Sequence, residues 1–223
     1  TRAPSVDRST GETYFQPSRT AFLGANGIGT PRLLLNSASS THPDGLANSS
    51  GMVGKRLMMH PYSVVVGLFD DFLEGWQGPY GQRAYALEVQ ETHPDRDFIR
   101  GAKWQLMGTG GPRAATGAWP FNGITWGEGI HKEVNKRFGH SAEWSIIAED
   151  LPNEGNTVTL DTTLTDSDGL PAPRLRYRTS DNTLRLLDFN QKQAEISMKE
   201  AGAYETIVAS VVRETGWHLL GTA

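Results

Sequence analysis

A glycine turn that leads into a leucine-rich run is the sequence feature that most constrains how this chain folds. It lies within Ala21–Ser39, where apolar residues precede two glycines, Gly27 and Gly29. Glycine adopts backbone conformations that other residues avoid, so the chain turns sharply there and approaches a ligand closely. The pattern predicts a short strand, a turn, and then a helix that is capped by Thr30, with Pro31 in the first helical position.

The same turn has two functional interpretations. A strand that ends in such a turn presents free N–H groups and the positive end of a helix, where nucleotide phosphates or ribose commonly bind. An ordinary strand-to-helix connection has the same pattern, and a single G-x-G motif more often marks such a connection. The residues of the turn alone leave both interpretations open.

The composition limits the classes of protein to which the chain belongs. With 223 residues, 37% of them hydrophobic, there is material for one large domain or two small ones. The formal net charge of -4 argues against a nucleic-acid partner that is held through its phosphates. No run of about 18 apolar residues is present, so no transmembrane segment is predicted. The absence of cysteine excludes disulfides, thiolate metal sites and a cysteine nucleophile.

Both ends of the sequence have the character of internal segments. Residue 1 is not a methionine, and Thr1–Ser18 has the composition of a polar loop without a signal-peptide pattern. At the other end, Trp217–Ala223 is apolar and turn-like rather than a polar tail. We therefore expect the chain to be an internal piece of a longer protein.

Alternating polar and apolar residues, together with β-branched side chains, predict several strands. They are expected at Glu12–Gln16, Ser63–Phe69, Ala142–Ala148, Asn156–Leu160, Pro171–Tyr177 and within Tyr204–Val212, with Asn156–Leu160 and Pro171–Tyr177 forming an antiparallel pair. Asp181 is expected to cap a long helix that ends at Gly202. An apolar stripe at three- and four-residue steps predicts that this helix packs against a core. The stripe comprises Leu184, Leu187, Gln191, Ala194, Met198 and Ala201.

Aromatic residues punctuate the glycine-rich segment 70–129, which is predicted to consist mainly of loops. They are Trp76, Tyr80, Tyr85, Trp104, Trp119 and Trp126. Aromatic residues on such loops line a small-molecule pocket in some proteins and, more commonly, anchor the loops in a core.

The six histidines are the candidate acid–base groups. Four lie in polar, turn-like surroundings and are expected to be solvated: His42, His93, His131 and His140. No histidine pair has the spacing of a zinc hydrolase, and no metal site is predicted. His60 is either a partly buried structural residue or a site residue. His218 is the last residue of a predicted turn, Gly216–His218, and precedes an apolar sequence, so a buried neutral imidazole there would accept a proton near neutral pH.

Other catalytic arrangements have little support. No G-x-S-x-G nucleophile motif is present. Glu149 and Asp150 are adjacent, as are Asp70 and Asp71, and adjacent residues of a strand point to opposite faces. Neither pair is therefore expected to form a carboxylate dyad.

Four segments resemble motifs of the glucose–methanol–choline (GMC) flavin oxidoreductases, in the order in which that family has them. Ala25–Ser37 resembles the second family signature, and Gly51–Pro61 resembles a segment that follows it and ends in His-Pro. Asn156–Leu160 is similar to a strand of the carboxy-terminal region, and His218–Thr222 to the His-x-x-Gly-Thr motif that carries the active-site histidine. Asn26 and Gly27 depart from the usual Gly-Ala. The G-x-G-x-x-G phosphate motif and the second active-site His or Asn are absent.

The resemblance implies a mixed fold, α+β together with α/β. Residues 1–61 would form part of a Rossmann-like FAD-binding domain, 62–216 an antiparallel-sheet substrate domain with helices, and 217–223 a return to the FAD-binding domain. The implied activity is hydride transfer from the CH–OH group of an alcohol, sugar, sugar acid or polyol to FAD. The piece by itself would be inactive and bind no FAD, because the phosphate motif is missing.

The resemblance also assigns roles to residues. His218 is the implied catalytic base, or the donor that orients the alcohol. Backbone groups of one short segment would approach the ADP half of FAD; the segment comprises Ala25, Asn26, Gly27, Gly29 and Thr30. Two other classes stay open: a carbohydrate-binding module that uses aromatic residues from Trp76 to Trp126, and a structural domain in which His218 only packs.

Overall fold

A computed structural model describes residues 2–7, 9–78, 81–116, 127–209 and 217–223. Within these ranges the strands are β1 (Arg2–Val6), β2 (Thr13–Pro17), β3 (Met58–His60), β4 (Tyr62–Leu68), β5 (Gln82–Ala86), β6 (Ala102–Met107), β7 (Ser141–Ala148), β8 (Thr157–Thr165), β9 (Pro171–Arg176), β10 (Glu205–Ala209) and β11 (Trp217–Leu220). The helices are α1 (Asn26–Asn36), α2 (Pro112–Ala115), α3 (Ile130–Arg137) and α4 (Asp181–Glu200). In the part of the chain that is described, no helix combines the length and apolar character needed to cross a membrane.

The chain divides into two compact units. The first comprises Thr1–Lys55, Thr157–Leu175 and Thr222–Ala223, and the second comprises Arg56–Asn156 and Arg176–Gly221. Both contain antiparallel strand pairs and a helix of at least 11 residues. The expected mixed α and β architecture is therefore confirmed.

A five-stranded antiparallel sheet forms the centre of the second unit, in the order β10-β4-β7-β6-β5. The predicted strands at Ser63–Phe69 and Ala142–Ala148 are β4 and β7, two of its three inner strands, which pair from Tyr62↔Ile147 to Leu68↔Ser141. Two further members, β5 and β6, lie in the glycine-rich segment 70–129, where no strand was predicted. Glycines flank these strands and hide their short alternating runs.

Helix α4 covers one face of this sheet. Leu186, Leu187, Ala194 and Met198 pack there against Val65, Trp104 and Ile146. The opposite face carries a second cluster of Val64, Val66, Leu68 and Ala209. Because β4 is buried on both faces, it has a continuous apolar run instead of the alternation of a half-exposed strand.

The long helix was predicted well, with one difference at its start. Ser180, not Asp181, is the N-cap, and its side chain accepts a hydrogen bond from the Thr183 N–H group. Leu184 is 47% exposed, so the buried stripe passes instead through Thr183 and the Leu186–Leu187 pair. Of the predicted strand within Tyr204–Val212, residues Glu205–Ala209 form β10. Residues 210–216, which include Gly216, lie outside the described residues.

The first unit contains two hairpins and α1. Strands β1 and β2 pair antiparallel, and β2 contains most of the strand predicted at Glu12–Gln16. Strands β8 and β9 also pair with each other, and because the segment between them is too short for a parallel crossover they are antiparallel, as predicted. Helix α1 packs against β8, where Leu34 and Val158 are buried. Arg32 donates to the Asp166 carboxylate at 2.7 Å and to the Pro171 carbonyl at 2.8 Å, so the helix is tied to the β8–β9 turn.

The predicted start of α1 was wrong. The helix begins at Asn26, so Thr30 is not its cap and Pro31 lies inside it. The Asn26 side chain accepts hydrogen bonds from the N–H groups of Ile28 and Gly29, and this provides an earlier start than the sequence pattern indicated. Pro31 has no N–H group to bond the Gly27 carbonyl four residues earlier, and that carbonyl accepts instead from the Thr222 hydroxyl. The expected strand before the turn is also absent, since residues 21–24 have no regular structure.

Candidate active site

Two histidines meet where β3 and β11 pair in the second unit. The strands are antiparallel, with Trp217 opposite His60 and Leu220 opposite Met58. Between these two pairs β11 has one residue more than β3, which makes a β-bulge. His218 lies in the bulge with a left-handed φ of 60°, so it belongs to a strand and not to the predicted turn.

The bulge brings the two imidazole rings together. Their Nδ1 atoms are 2.9 Å apart, and the rings meet edge to face with centroids separated by 5.1 Å. A hydrogen bond between two nitrogens needs one donor and one acceptor, and a neutral imidazole carries a proton on only one nitrogen. The two rings therefore hold different protonation patterns, and the partner at Nδ1 determines which form each ring takes.

The surroundings of the two rings differ. His60 is half-buried, and its pKa is lowered first by this burial and then by the nearby His218, against opposing effects of Glu149 and Asp150. The expectation of a buried ring at His218 was wrong, because its side chain is exposed. Sequence reasoning left His60 undecided between a structural and a site role, and no spacing rule would have found its partner 158 residues away.

A cleft of about 370 Å³ opens beside His60. Its walls include Glu91, Thr92, Arg100, Lys103 and Glu149. Such a lining offers both donors and acceptors, which suits a small molecule with several hydroxyl groups better than an apolar ligand.

Gly101 shapes one wall of the cleft. A Cβ atom at Gly101 would lie 2.2 Å from the Val89 carbonyl oxygen, so no other residue fits there without movement of the backbone. The Gly101 N–H group donates to the Glu149 carboxylate at 3.2 Å, and its carbonyl accepts from the Glu149 N–H group. Together these contacts hold Glu149 at the edge of the cleft.

A buried chain of polar groups lies on the sheet face opposite α4, and sequence reasoning missed it. Ser145 donates to the Glu143 carboxylate at 2.7 Å, and because a hydroxyl has only one proton, Tyr62 donates to Ser145. Glu143 is 8% exposed, and burial raises the pKa of its carboxyl group, against the opposing effect of Ser145. The alternation of β7 gave a signal of a polar face, but that pattern ordinarily marks a face in contact with water.

We expect Glu143→Gln to flatten the pH dependence of stability. A carboxyl group with a raised pKa in the folded state holds its proton more tightly there than in the unfolded chain. The contribution of Glu143 to the free energy of unfolding therefore falls as the pH rises from the pKa of the unfolded chain through the raised pKa of the folded state. Urea unfolding of the full-length protein at several pH values between about 5 and 8 measures this, with the exposed Glu88→Gln as control. Equal pH slopes for both variants would contradict it.

The predicted cofactor segment lies in the first unit. The N–H groups of Ile28 and Gly29 are taken by the Asn26 side chain, and the Gly27 carbonyl accepts from the Thr222 hydroxyl at 2.7 Å. Thr222 also accepts from the Gly54 N–H group through its own carbonyl. The structure thus brings Thr222, the end of the His-x-x-Gly-Thr motif, to the predicted segment.

The other sequence candidates have ordinary structural surroundings. His42, His93 and His131 are exposed as expected, whereas His140 is partly buried and lies within hydrogen-bond distance of the Phe69 and Asp71 carbonyls. In the described ranges, no group of three or more His, Cys, Asp or Glu side chains could hold a metal ion.

The aromatic residues that were considered for a sugar site do not share a pocket where they are described. Trp104 is buried and donates to Asn190 at 2.8 Å, whereas Trp76 packs against Phe138 with ring centroids 4.7 Å apart. Tyr85 lies on β5, where Lys103 sits over its ring at 4.9 Å from the centroid. Tyr80, Trp119 and Trp126 lie outside the described residues.

The chain is similar along its whole length to a curated enzyme. It is 37% identical over 225 aligned residues to 2-methyl-1,2-propanediol dehydrogenase of Mycolicibacterium austroafricanum, covering 100% of this chain and 41% of that protein. It is 27% identical to the fructose dehydrogenase large subunit of Gluconobacter japonicus, over 72% of this chain and 29% of that protein. A third relative, 6'''-hydroxyparomomycin C oxidase of Streptomyces lividus, is 27% identical over 89% of this chain and 33% of its own length. No protein-family model matches the chain.

These relatives are all oxidoreductases, and the class of the chain follows from them. The relatives are members of the glucose–methanol–choline family, whose motifs this chain resembles. It spans about two fifths, or less, of the length of the relatives named here.

Proposed function

We propose that the chain is part of an FAD-dependent oxidoreductase that oxidises the CH–OH group of a diol, polyol or sugar. The observation that supports this most is the 37% identity, over the whole chain, to an enzyme named for a 1,2-diol. A second relative is named for fructose, which also carries neighbouring hydroxyl groups. The polar cleft beside His60 fits such substrates, because its charged and hydroxyl side chains would bind the hydroxyls that do not react.

In this proposal residues 1–61 contribute to a Rossmann-like FAD-binding domain, to which residues 217–223 return, and residues 62–216 form the substrate domain. Gly24 has open space on its Cβ side, and the preceding Phe22 is 95% exposed, so the backbone there is open to a ligand. The first-turn N–H groups of Ile28 and Gly29 are already satisfied by Asn26. The segment therefore fits the ribose or adenine part of a dinucleotide better than a phosphate.

The residues that would hold this part of FAD are those of the predicted segment. Ala25 and Asn26, which are exposed, would line the site for the ribose or adenine part of FAD. Gly27, Gly29 and Thr30, which are partly buried, would form the wall behind these two residues. The Thr222 hydroxyl fixes the Gly27 carbonyl, so the wall is rigid before any ligand binds. When bound, FAD supplies the two-electron acceptor for the hydride that leaves the alcohol carbon.

The chain's own catalytic contribution is the proton transfer at His218. Oxidation of a primary or secondary alcohol breaks one O–H bond and one C–H bond and forms a C=O bond, so a base must take the hydroxyl proton. The His218 Nδ1 atom is occupied by His60, and no described residue is within hydrogen-bond distance of its Nε2 atom. Nε2 is therefore the atom that would accept the proton.

An alcohol panel tests the function directly. The full-length protein is mixed without oxygen with 2-methyl-1,2-propanediol, with fructose and with tert-butanol, and the oxidised-flavin absorbance is followed in time. We expect one or more of the first two to bleach the flavin, and tert-butanol to leave it unchanged, because its carbinol carbon has no hydrogen to transfer. A protein that binds no flavin, or one that no diol, polyol or sugar reduces, would refute the proposal.

A further inference from the structure

His60 and His218 form the one side-chain pair, among the described residues, in which two imidazoles share a hydrogen bond. We propose that His60 is a positioning residue: it accepts a hydrogen bond from the Nδ1–H group of His218 and so leaves the Nε2 atom of His218 unprotonated. The inference rests on the proposed role of His218 as the catalytic base. It adds how the ring is kept in the tautomer that can accept a proton. His60 itself touches no reacting atom in this scheme.

The direction of the hydrogen bond decides whether His218 can act as a base. If His60 donated, the neutral His218 ring would carry its proton on Nε2, the atom that has to accept one. If His218 donates, Nε2 has a free lone pair. A partner that fixes one tautomer of a catalytic histidine in this way makes a large difference to rate, because the wrong tautomer is inactive.

The surroundings of His60 favour the acceptor role. A protonated His60 would have to donate through Nδ1, but its half-buried position disfavours the charged ring and lowers its pKa. Burial therefore favours the uncharged ring of His60, which accepts at Nδ1 when its own proton is on Nε2. Glu149 and Asp150, which follow β7, are the carboxylates that act on His60 electrostatically, and Arg100 and Lys103 are the cations of the adjoining cleft.

The same bond becomes stronger during the reaction. When Nε2 takes the proton from the alcohol, His218 becomes an imidazolium ion, and its Nδ1–H group then donates a charge-assisted hydrogen bond. A neutral acceptor at 2.9 Å stabilises that ion, whereas a donor at the same place would oppose it. The exchange moves one proton from the alcohol to His218 and leaves His60 unchanged.

The backbone holds the pair in place. His218 has a left-handed φ of 60°, a conformation that non-glycine residues adopt only when their surroundings impose it. Gly221 has a φ of 75°, and a Cβ atom there would lie 2.2 Å from the Arg56 carbonyl oxygen, so β11 ends in close contact with the start of the β3 segment. Both ends of the short strand pair are therefore constrained, and the two rings are held in one edge-to-face arrangement.

Two substitutions of His60 separate hydrogen bonding from shape. His60→Asn places an amide oxygen near the position of Nδ1 and keeps an acceptor, whereas His60→Phe keeps a planar ring and removes it. In the full-length, flavin-loaded protein we expect His60→Phe to lower the rate of flavin reduction by about 10²-fold, and His60→Asn to stay within about threefold of wild type. His131→Phe, on the exposed face of α3, is the matched control.

Nitrogen chemical shifts of ¹⁵N-labelled histidine provide a readout that does not depend on turnover. We expect the His218 ring to carry its proton on Nδ1 in wild type and in His60→Asn, and to exchange between both tautomers in His60→Phe. Equal rates and equal shifts in wild type and His60→Phe would overturn the inference, as would equal losses in the Asn and Phe variants. If no alcohol reduces the flavin but the tautomer still depends on His60, the proposed function fails and the pairing stands.

Discussion

Replacing His218 by alanine should lower the rate of flavin reduction by alcohol by about 10²–10⁴-fold, the range that general-base groups contribute. The reason is that the Nε2 atom of His218 has no described hydrogen-bond partner and its Nδ1 atom is held by His60, so the ring is placed to take a proton. Stopped-flow mixing of the oxidised protein with substrate in the absence of oxygen measures this step alone. The substitution should lower the limiting rate of flavin reduction and should change the half-saturating substrate concentration much less.

The control for this experiment is His131→Ala, an exposed histidine of the same unit that has no place in the proposed site. It should reduce at the wild-type rate and bind the same amount of flavin. His218→Ala should also keep its flavin, because the segment proposed to contact FAD lies at residues 25–30. An unchanged limiting rate in a His218→Ala protein with full flavin content would remove His218 from the mechanism.

Asn190→Ala should destabilise the protein by about 2–4 kcal/mol, the sum of an unpaired buried donor and a small cavity. Asn190 is completely buried on α4; its side-chain oxygen accepts from the Trp104 indole at 2.8 Å, and its amide donates to the Leu186 carbonyl at 2.7 Å. Alanine leaves the Trp104 N–H group without a partner in the core between α4 and the sheet. Urea unfolding, followed by tryptophan fluorescence and by circular dichroism, measures the change.

Asn135→Ala on α3 is the matched control, because Asn135 is exposed in a helix of the same unit. We expect its effect to stay within about 0.5 kcal/mol. A loss at Asn190 no larger than the loss at Asn135 would mean that the indole finds another acceptor, and that this hydrogen bond does not hold the helix to the sheet.

Elements with a strong periodic signal were predictable from the sequence. The apolar stripe of α4 and the alternation at Pro171–Tyr177 each depend on contacts within one element or with its neighbour in the chain. The start of α1 was not predictable in this way. Thr30 and Pro31 together are a good local signal for the start of a helix. The Asn26 side chain, however, accepts hydrogen bonds from two N–H groups one turn earlier. Which of the two starts is used depends on side-chain geometry, which the order of residues does not reveal.

The candidate site was predictable only in part. The motif at His218–Thr222 pointed to His218, but the ring that accompanies it comes from a strand 158 residues earlier. Such a pairing depends on the register of β3 and β11, and nothing in a four-residue strand sets its register in advance. Glu143 was missed for a similar reason: whether a polar strand face is buried depends on what covers it, which alternation along β7 does not reveal.

The extra residue in β11 makes chain length, as well as side-chain identity, a requirement at this site. From Trp217 to Leu220 the strand advances three positions while β3 advances two, from His60 to Met58. Deleting one residue within the bulge would restore regular pairing, and since strand side chains alternate between faces, it would turn the ring of residue 218 away from His60. Variants with one residue inserted or deleted within 217–221 should therefore lose as much activity as a variant in which His218 itself is replaced. We expect this even where every remaining side chain is retained.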